Sequence, residues 1–219
     1  MNDKIFCGFA FILEGDTEKE FYLSFLEYLC RKHGAEFSRT VEDTTLDVVY
    51  RMKKDDKECL IKFNTVNTVS QVPRAGKWFQ TQCVKKYGAK IKWTVFLCYD
   101  LDDYDADISK FYEGDWAALR SSLSRAEQIL DVAAAADIED VMLQDLSGIC
   151  DYLHGVCPNQ LKGRKGKTKM KNLFLFNGKY YHSGKRARPL IDSLDMEKLI
   201  RGNLVPLYDI EKLVTSSIF

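Results

Sequence analysis

Acidic side chains stand where two apolar runs stop. Ile-Phe-Cys-Gly-Phe-Ala-Phe-Ile-Leu (5–13) leads into Glu14-Gly15, and Trp-Thr-Val-Phe-Leu-Cys-Tyr (93–99) leads into Asp100-Leu101-Asp102. Buried strands that end in acids place them at the rim of a sheet, where open α/β sheets bind their ligands. Three carboxylates gathered there offer the oxygen donors that Mg²⁺, a hard cation, takes. One such ion, or two about 3.5–4 Å apart, can generate a nucleophilic water and stabilise charge on a phosphate. Glu14 equally suits a general acid or base.

A second chemistry-bearing feature lies in the last third. Between Asp151 and Asp192 there is no acid, whereas ten Lys and Arg fall there. Taking those ten from the 32 cations leaves 22 against 32 acids in the rest of the chain, so a net charge of zero conceals an acidic body and a basic segment. Lys162, Arg164, Lys165, Lys167, Lys169 and Lys171 are its densest part, with Phe174, Phe176, Tyr180 and Tyr181 beside it. Cations follow phosphates and aromatic faces stack on unpaired bases, so this segment is expected to bind RNA or DNA. Neutralising Lys165, Lys167 and Lys169 is expected to flatten the salt dependence of that binding. The fragment Gly163-Arg-Lys-Gly-Lys-Thr lacks P-loop spacing and follows no apolar strand, which argues against a nucleotide loop. The acidic run from Asp103 puts Ile108 and Gly114 where an EF-hand needs Gly and Glu, so Ca²⁺ is rejected.

Several elements must position these groups. The run 5–13 is apolar on both faces, as a central parallel strand is. A helix follows, with Thr17 and Glu20 as a capping box, apolar residues at helical spacing from Phe21, and Gly34 as its stop. Residues 37–57 read as a polar insertion with a short helix near 46–52. Strand 58–66, helix 73–87 ended by Gly88, and strand 91–99 complete a β-α-β-α-β order, which implies parallel strands and right-handed crossovers. Asp115 is expected to cap a helix running to about Leu130, and 132–136 a short fourth strand. Asp137-Ile138-Glu139-Asp140 opens another helix. Residues 159–172 read as a mobile loop, 173–181 as a hairpin around Asn177-Gly178, and 189–200 and 208–216 as helices.

A 219-residue chain with 46% hydrophobic residues suits one domain, or one domain with an appendage. The division expected is a catalytic unit over 1–150 and a basic extension over 151–219 packed on it. No run reaches the length of a membrane span, and the start does not read as a signal peptide. The seven scattered cysteines point to a reduced, cytoplasmic setting. Cys150, His154 and Cys157 could share a helix face, but no fourth zinc ligand is evident, and core cysteines beside a surface His is the simpler reading.

Glu-Gly after the first strand and Asp-x-Asp after a later one resemble the Toprim domain. The stretch Phe11-Ile12-Leu13-Glu14-Gly15-Asp16-Thr17-Glu18-Lys19-Glu20-Phe21-Tyr22 is similar to the OLD-like branch, over about residues 4–150. The resemblance implies an α/β fold with a Toprim-like parallel sheet of about four strands flanked by helices, and a mixed basic C-terminal extension. It implies a metal site of Glu14, Asp100 and Asp102, with Glu139 as a further ligand, holding Mg²⁺ or Mn²⁺. Ser183-Gly184-Lys185-Arg186 is similar in kind to the family's C-terminal basic segment, and Lys185 or Arg186 could neutralise charge on a phosphate. The activity implied is a metal-dependent endonuclease cutting DNA or an RNA such as tRNA, as a phage-defence or toxin-like effector. A separate ATPase regulator and a homodimer are the partners implied. A non-catalytic module with a degraded Toprim core, and a primase-like nucleotidyl transferase, are the alternatives.

Overall fold

Strands form where apolar side chains supply both faces of a buried sheet, and helices cover those faces. The computed structural model describes residues 5–42, 47–67, 71–88, 90–100, 113–134, 137–202 and 204–219. Its strands are β1 (Ile5–Leu13), β2 (Glu36–Glu42), β3 (Asp47–Lys54), β4 (Lys57–Thr65), β5 (Lys92–Asp100) and β6 (Gln128–Ala134). They form one sheet in the order β2-β3-β4-β1-β5-β6. β4, β1, β5 and β6 run parallel, while β3 pairs antiparallel with β2 and β4.

The expected α/β class is borne out, but the sheet has six strands and a mixed sense. The polar stretch 37–57, read as an insertion with a short helix, is an antiparallel extension of the sheet. β2 is exposed over most of its length, so it lacks the apolar alternation that announces a strand. Its partner β3 buries Val49 and Met52.

β1 sits at the centre and is apolar on both sides. Phe9, Phe11 and Leu13 enter one core with Ile61 and Phe96, under α1 (Asp16–His33) and the C-terminal helices. Ala10 and Ile12 enter the other with Leu60, Val95 and Leu97, under α2 (Val72–Trp78) and α3 (Glu113–Ser122). α2 continues through a wider π-type turn over Phe79–Lys85 to Gly88. The result is a helix–sheet–helix sandwich.

The remaining helices are α4 (Ile138–Met142), α5 (Leu146–Tyr152), α6 (Gly166–Phe176), α7 (Arg188–Asp192), α8 (Met196–Arg201) and α9 (Leu207–Ile218). A 3₁₀ turn at Gly184–Ala187 precedes α7. Four expectations are corrected here. α3 stops at Ser122 and does not reach Leu130, because the chain turns at Leu123–Ala126 into β6. The 159–172 segment is not a loop throughout: α6 begins at Gly166, fixed by buried Met170, Leu173 and Phe174 at helical spacing. Asn177-Gly178 does not turn a hairpin. It ends α6, with the Gly178 N–H donating to Leu175 O, the Lys179 N–H donating to Phe174 O, and Gly178 at φ 68°. Thr17 is no cap either: α1 starts at Asp16 behind Gly15.

Among the described residues no helix is long and apolar enough to cross a membrane. The cysteines are not all reduced: Cys150 and Cys157 form a disulfide, with Cα atoms 5.7 Å apart. It closes the turn after α5 and leaves no zinc site there, and His154 is exposed at φ 48°.

Candidate functional site

The chain leaves β1 toward β4 on one side and returns to β5 on the other. That reversal puts a crevice at the C-terminal ends of the parallel strands, the usual ligand position in such sheets. All four parallel strands deliver a residue to it. Glu14 follows β1, Asn67 follows β4, Asp100 ends β5 and Asp137 follows β6, and all four line a cleft of about 410 Å³.

Glu14 is held by the backbone on both sides. Its carbonyl accepts from the Asn67 N–H at 2.9 Å, and its Oε1 accepts from the Asp100 N–H at 3.3 Å. In the first turn of α1, Glu18, 9% exposed, points back to the same place. One carboxylate oxygen from each of Glu14, Glu18 and Asp100 lies within 4.8 Å of the others. Such crowding disfavours ionisation. Burial, then Glu18 and Glu14, then Asp137 and Glu139, push Asp100 up to about 10.

A second pair of acids stands across the cleft at the start of α4. Asp137 caps that helix, accepting from the Asp140 N–H at 2.9 Å. Glu139 is 4% exposed and accepts from the Tyr181 hydroxyl at 2.9 Å. Burial and the charge of Asp137 raise its pKa to about 7, with the Tyr181 bond opposing them.

The basic segment reaches this place through α6. The Gly166 N–H donates to Asp140 Oδ2 at 2.9 Å and the Lys167 N–H to Asp137 Oδ2 at 3.1 Å. Lys169 Nζ pairs with Asp140 Oδ1 at 2.7 Å. The approach is so close that a Cβ on Gly166 would lie 2.1 Å from Asp137 Oδ1. Two helix starts thus share one pair of acids, and Lys165 and Lys167 come to line the cleft. On a further wall, Ser183 and Gly184 line it, the Gly184 N–H donating to Thr17 Oγ1 at 2.8 Å.

The expected site residues therefore divide. Glu14, Asp100 and Glu139 converge on the cleft, together with Lys165 and Lys167. Asp102 lies outside the described residues. Lys185 and Arg186 are exposed beside the cleft and do not line it. Lys169 is engaged by Asp140, whereas Lys162, Arg164 and Lys171 are exposed and do not line the cleft. Glu18 and Asp137 were not anticipated as site residues. Glu14 precedes the extended cap residue Gly15, so no helical spacing ties Glu18 to it in the sequence.

No family model matches the chain, and no curated protein does. Solved structures overlap it only loosely. A methylthioadenosine/S-adenosylhomocysteine nucleosidase from Campylobacter jejuni is 10% identical, with 86% of this chain and 100% of that one covered at a TM-score of 0.26. A putative cell surface hydrolase from Lactobacillus plantarum is 9% identical, covering 76% and 96%, at 0.33. A futalosine hydrolase from Helicobacter pylori is 9% identical, covering 98% of each chain, at 0.29. Overlaps this loose assign no activity.

The OLD-like Toprim identification is corrected by these findings. No family model, Toprim or other, matches the chain, and none of the three structures named above is a Toprim nuclease. With it go the endonuclease activity, the phage-defence and toxin roles, and the degraded-Toprim and primase-like alternatives. The physical reason is plain. Acids after strand ends, in the order Glu-Gly and Asp-x-Asp, arise on any parallel sheet whose rim is polar. The case for a cation, Mg²⁺ or Mn²⁺, rests on the carboxylates alone.

Proposed function

We propose that the cleft is the metal centre of a hydrolase acting on a small, oxyanion-bearing molecule. The observation that carries this reading is the convergence of Glu14, Glu18 and Asp100 on one point at the strand reversal. Three half-buried carboxylates so placed repel one another, and a hard divalent cation such as Mg²⁺ or Mn²⁺ satisfies all three. When bound, such an ion supplies Lewis acidity and a water of lowered pKa. Glu139 titrates near neutrality, which suits it to hold and return a proton, and Tyr181 fixes its carboxyl. Lys165 and Lys167 put positive charge where an anionic group would lie. A cleft of about 410 Å³ falls in the range of small-ligand sites.

Calorimetric titration with MgCl₂ and MnCl₂ tests the metal centre. One equivalent is expected to bind, at least tenfold more weakly in Asp100→Asn and Glu18→Gln. Absence of binding to the folded wild type would overturn the reading. Turnover of small phosphate and carboxylate esters is then expected to require the metal and to fail in Glu139→Gln.

A further inference from the structure

The far end of α6 carries a surface unrelated to the cleft. The helix has 11 residues, so its two ends lie roughly 16 Å apart. At the C-terminal end Leu175 is 55% exposed and Phe176 61%, with Tyr180 (74%) just beyond the helix and Val156 (67%) alongside. Leu175 and Phe176 line one groove, and Val156 is tied to the helix end. Asn177 accepts from the Val156 N–H at 2.8 Å and donates to the Val156 carbonyl at 3.2 Å, which clamps the turn after α5 against the end of α6. The groove, of about 430 Å³, runs between α6 and the segment before it, floored by Pro158, Leu161, Leu173 and Leu175. Exposed apolar side chains clustered beside a groove mark an interaction site more often than scattered ones do.

Charge narrows the occupant. Lys162 lines the groove, Lys171 is exposed one turn before Leu175, and no acid occurs from 152 to 191. A second copy packed face to face would set cations against cations, which is repulsive. A small apolar ligand would leave the cationic rim unused. We infer that this face docks an acidic, amphipathic segment of a partner protein, its apolar side chains in the groove and its carboxylates on Lys162 and Lys171. This is the helix-in-groove mode, with rim charges setting specificity.

A random peptide display library tests it, selected on the wild-type protein and counter-selected on Phe176→Asp. That side chain is exposed, so the variant is expected to keep the wild-type circular dichroism spectrum. Enriched peptides are expected to be net negative with two or more apolar anchors. They should bind at least tenfold more weakly to Lys162→Glu/Lys171→Glu, and more weakly as salt rises. Enrichment of neutral or basic peptides, or none beyond the counter-target, would overturn the inference. A fluorescent dT₁₂ oligonucleotide is titrated in parallel. Binding of dT₁₂ that depends on Phe176 and Lys171, with no peptide enriched, would assign the face to nucleic acid and also overturn it. None of these readouts involves the cleft, so the metal-centre reading stands or falls separately.

Discussion

The Tyr181 hydroxyl donates to Glu139 Oε1 at 2.9 Å, linking the segment after α6 to the helix that follows β6. Both groups are buried, and each depends on the other. Burial, then the charge and hydrogen bond of Glu139, raise the tyrosine pKa. The same bond is what keeps Glu139 from rising beyond about 7.

Tyr181→Phe is therefore expected to raise the Glu139 pKa and to cost about 1–3 kcal/mol, since it leaves a buried acceptor without its donor. Carbon-detected NMR titration of the Glu139 carboxyl and urea denaturation measure the two effects. An unchanged Glu139 pKa would show that burial and the neighbouring charges set it without the Tyr181 bond.

Stability of the metal-free protein should fall as pH rises. Asp100 and Glu139 have folded-state values of about 10 and about 7, above the values near 4 of the unfolded chain. Groups raised in this way stabilise the fold fully below the unfolded pKa, and that contribution drains as pH climbs to the folded one. The decline is expected between roughly pH 4 and 7 for Glu139 and to continue toward alkaline pH for Asp100. Thermal melts from pH 5 to 9 in EDTA should show the decline. MnCl₂ should offset it, most at the alkaline end, and Asp100→Asn should flatten it.

Gly166→Ala would place a methyl group 2.1 Å from Asp137 Oδ1 and 2.4 Å from the Asp140 amide. One of the two helix starts must then move. The expected result is a loss of about 1–3 kcal/mol, with hydrogen exchange rising at Gly166 and Lys167 while β1 stays protected. Equal exchange throughout would mean that α6 docks by its apolar face alone.

Cys150 and Cys157 enclose a short loop, so the chain-entropy contribution of their bond is modest, about 2 kcal/mol. The clamp from Asn177 to Val156 holds the same turn without it. Cys157→Ser is thus expected to lower stability by no more than that, and reduction should have no further effect on the variant. A global collapse on reduction would show the clamp to be insufficient.

What the sequence made legible follows its burial. β1 and β5 are short apolar runs that end in acids, so those ends, and with them Glu14 and Asp100, could be read directly. Glu18 could not, because an acid in the first turn of a helix is ordinarily a partner for the helix dipole. α6 was hidden by alternating Lys and Gly that resemble a solvated loop, although Met170, Leu173 and Phe174 anchor it. Asn177-Gly178 was misread because the same φ > 0 preference serves a hairpin turn and a helix C-terminus. That the basic segment meets Asp137 and Asp140 depends on contacts 26 to 30 residues apart, which no local pattern encodes.

Asp145 offers a test of how the C-terminal helices are held. Its side chain is buried and accepts from the Asp195 N–H at 2.9 Å, Lys198 Nζ at 3.0 Å and the Gly148 N–H at 3.3 Å. Burial alone would raise its pKa, but these donors together hold it below the ordinary carboxylate range. A depressed group contributes stability above the unfolded pKa near 4 and loses it as pH falls toward the folded value. Asp145→Asn removes the charge and one of the two acceptor oxygens, so it should destabilise at pH 7, and by less as pH falls through the acid range. Asp145→Ala strands Lys198 and two backbone donors and should cost about 3 kcal/mol. If Asn and Ala prove equivalent at pH 7, the single acceptor that Asn keeps contributes nothing to joining α8 to α5. If Asn is silent at every pH, neither the charge nor the second acceptor oxygen contributes to this contact.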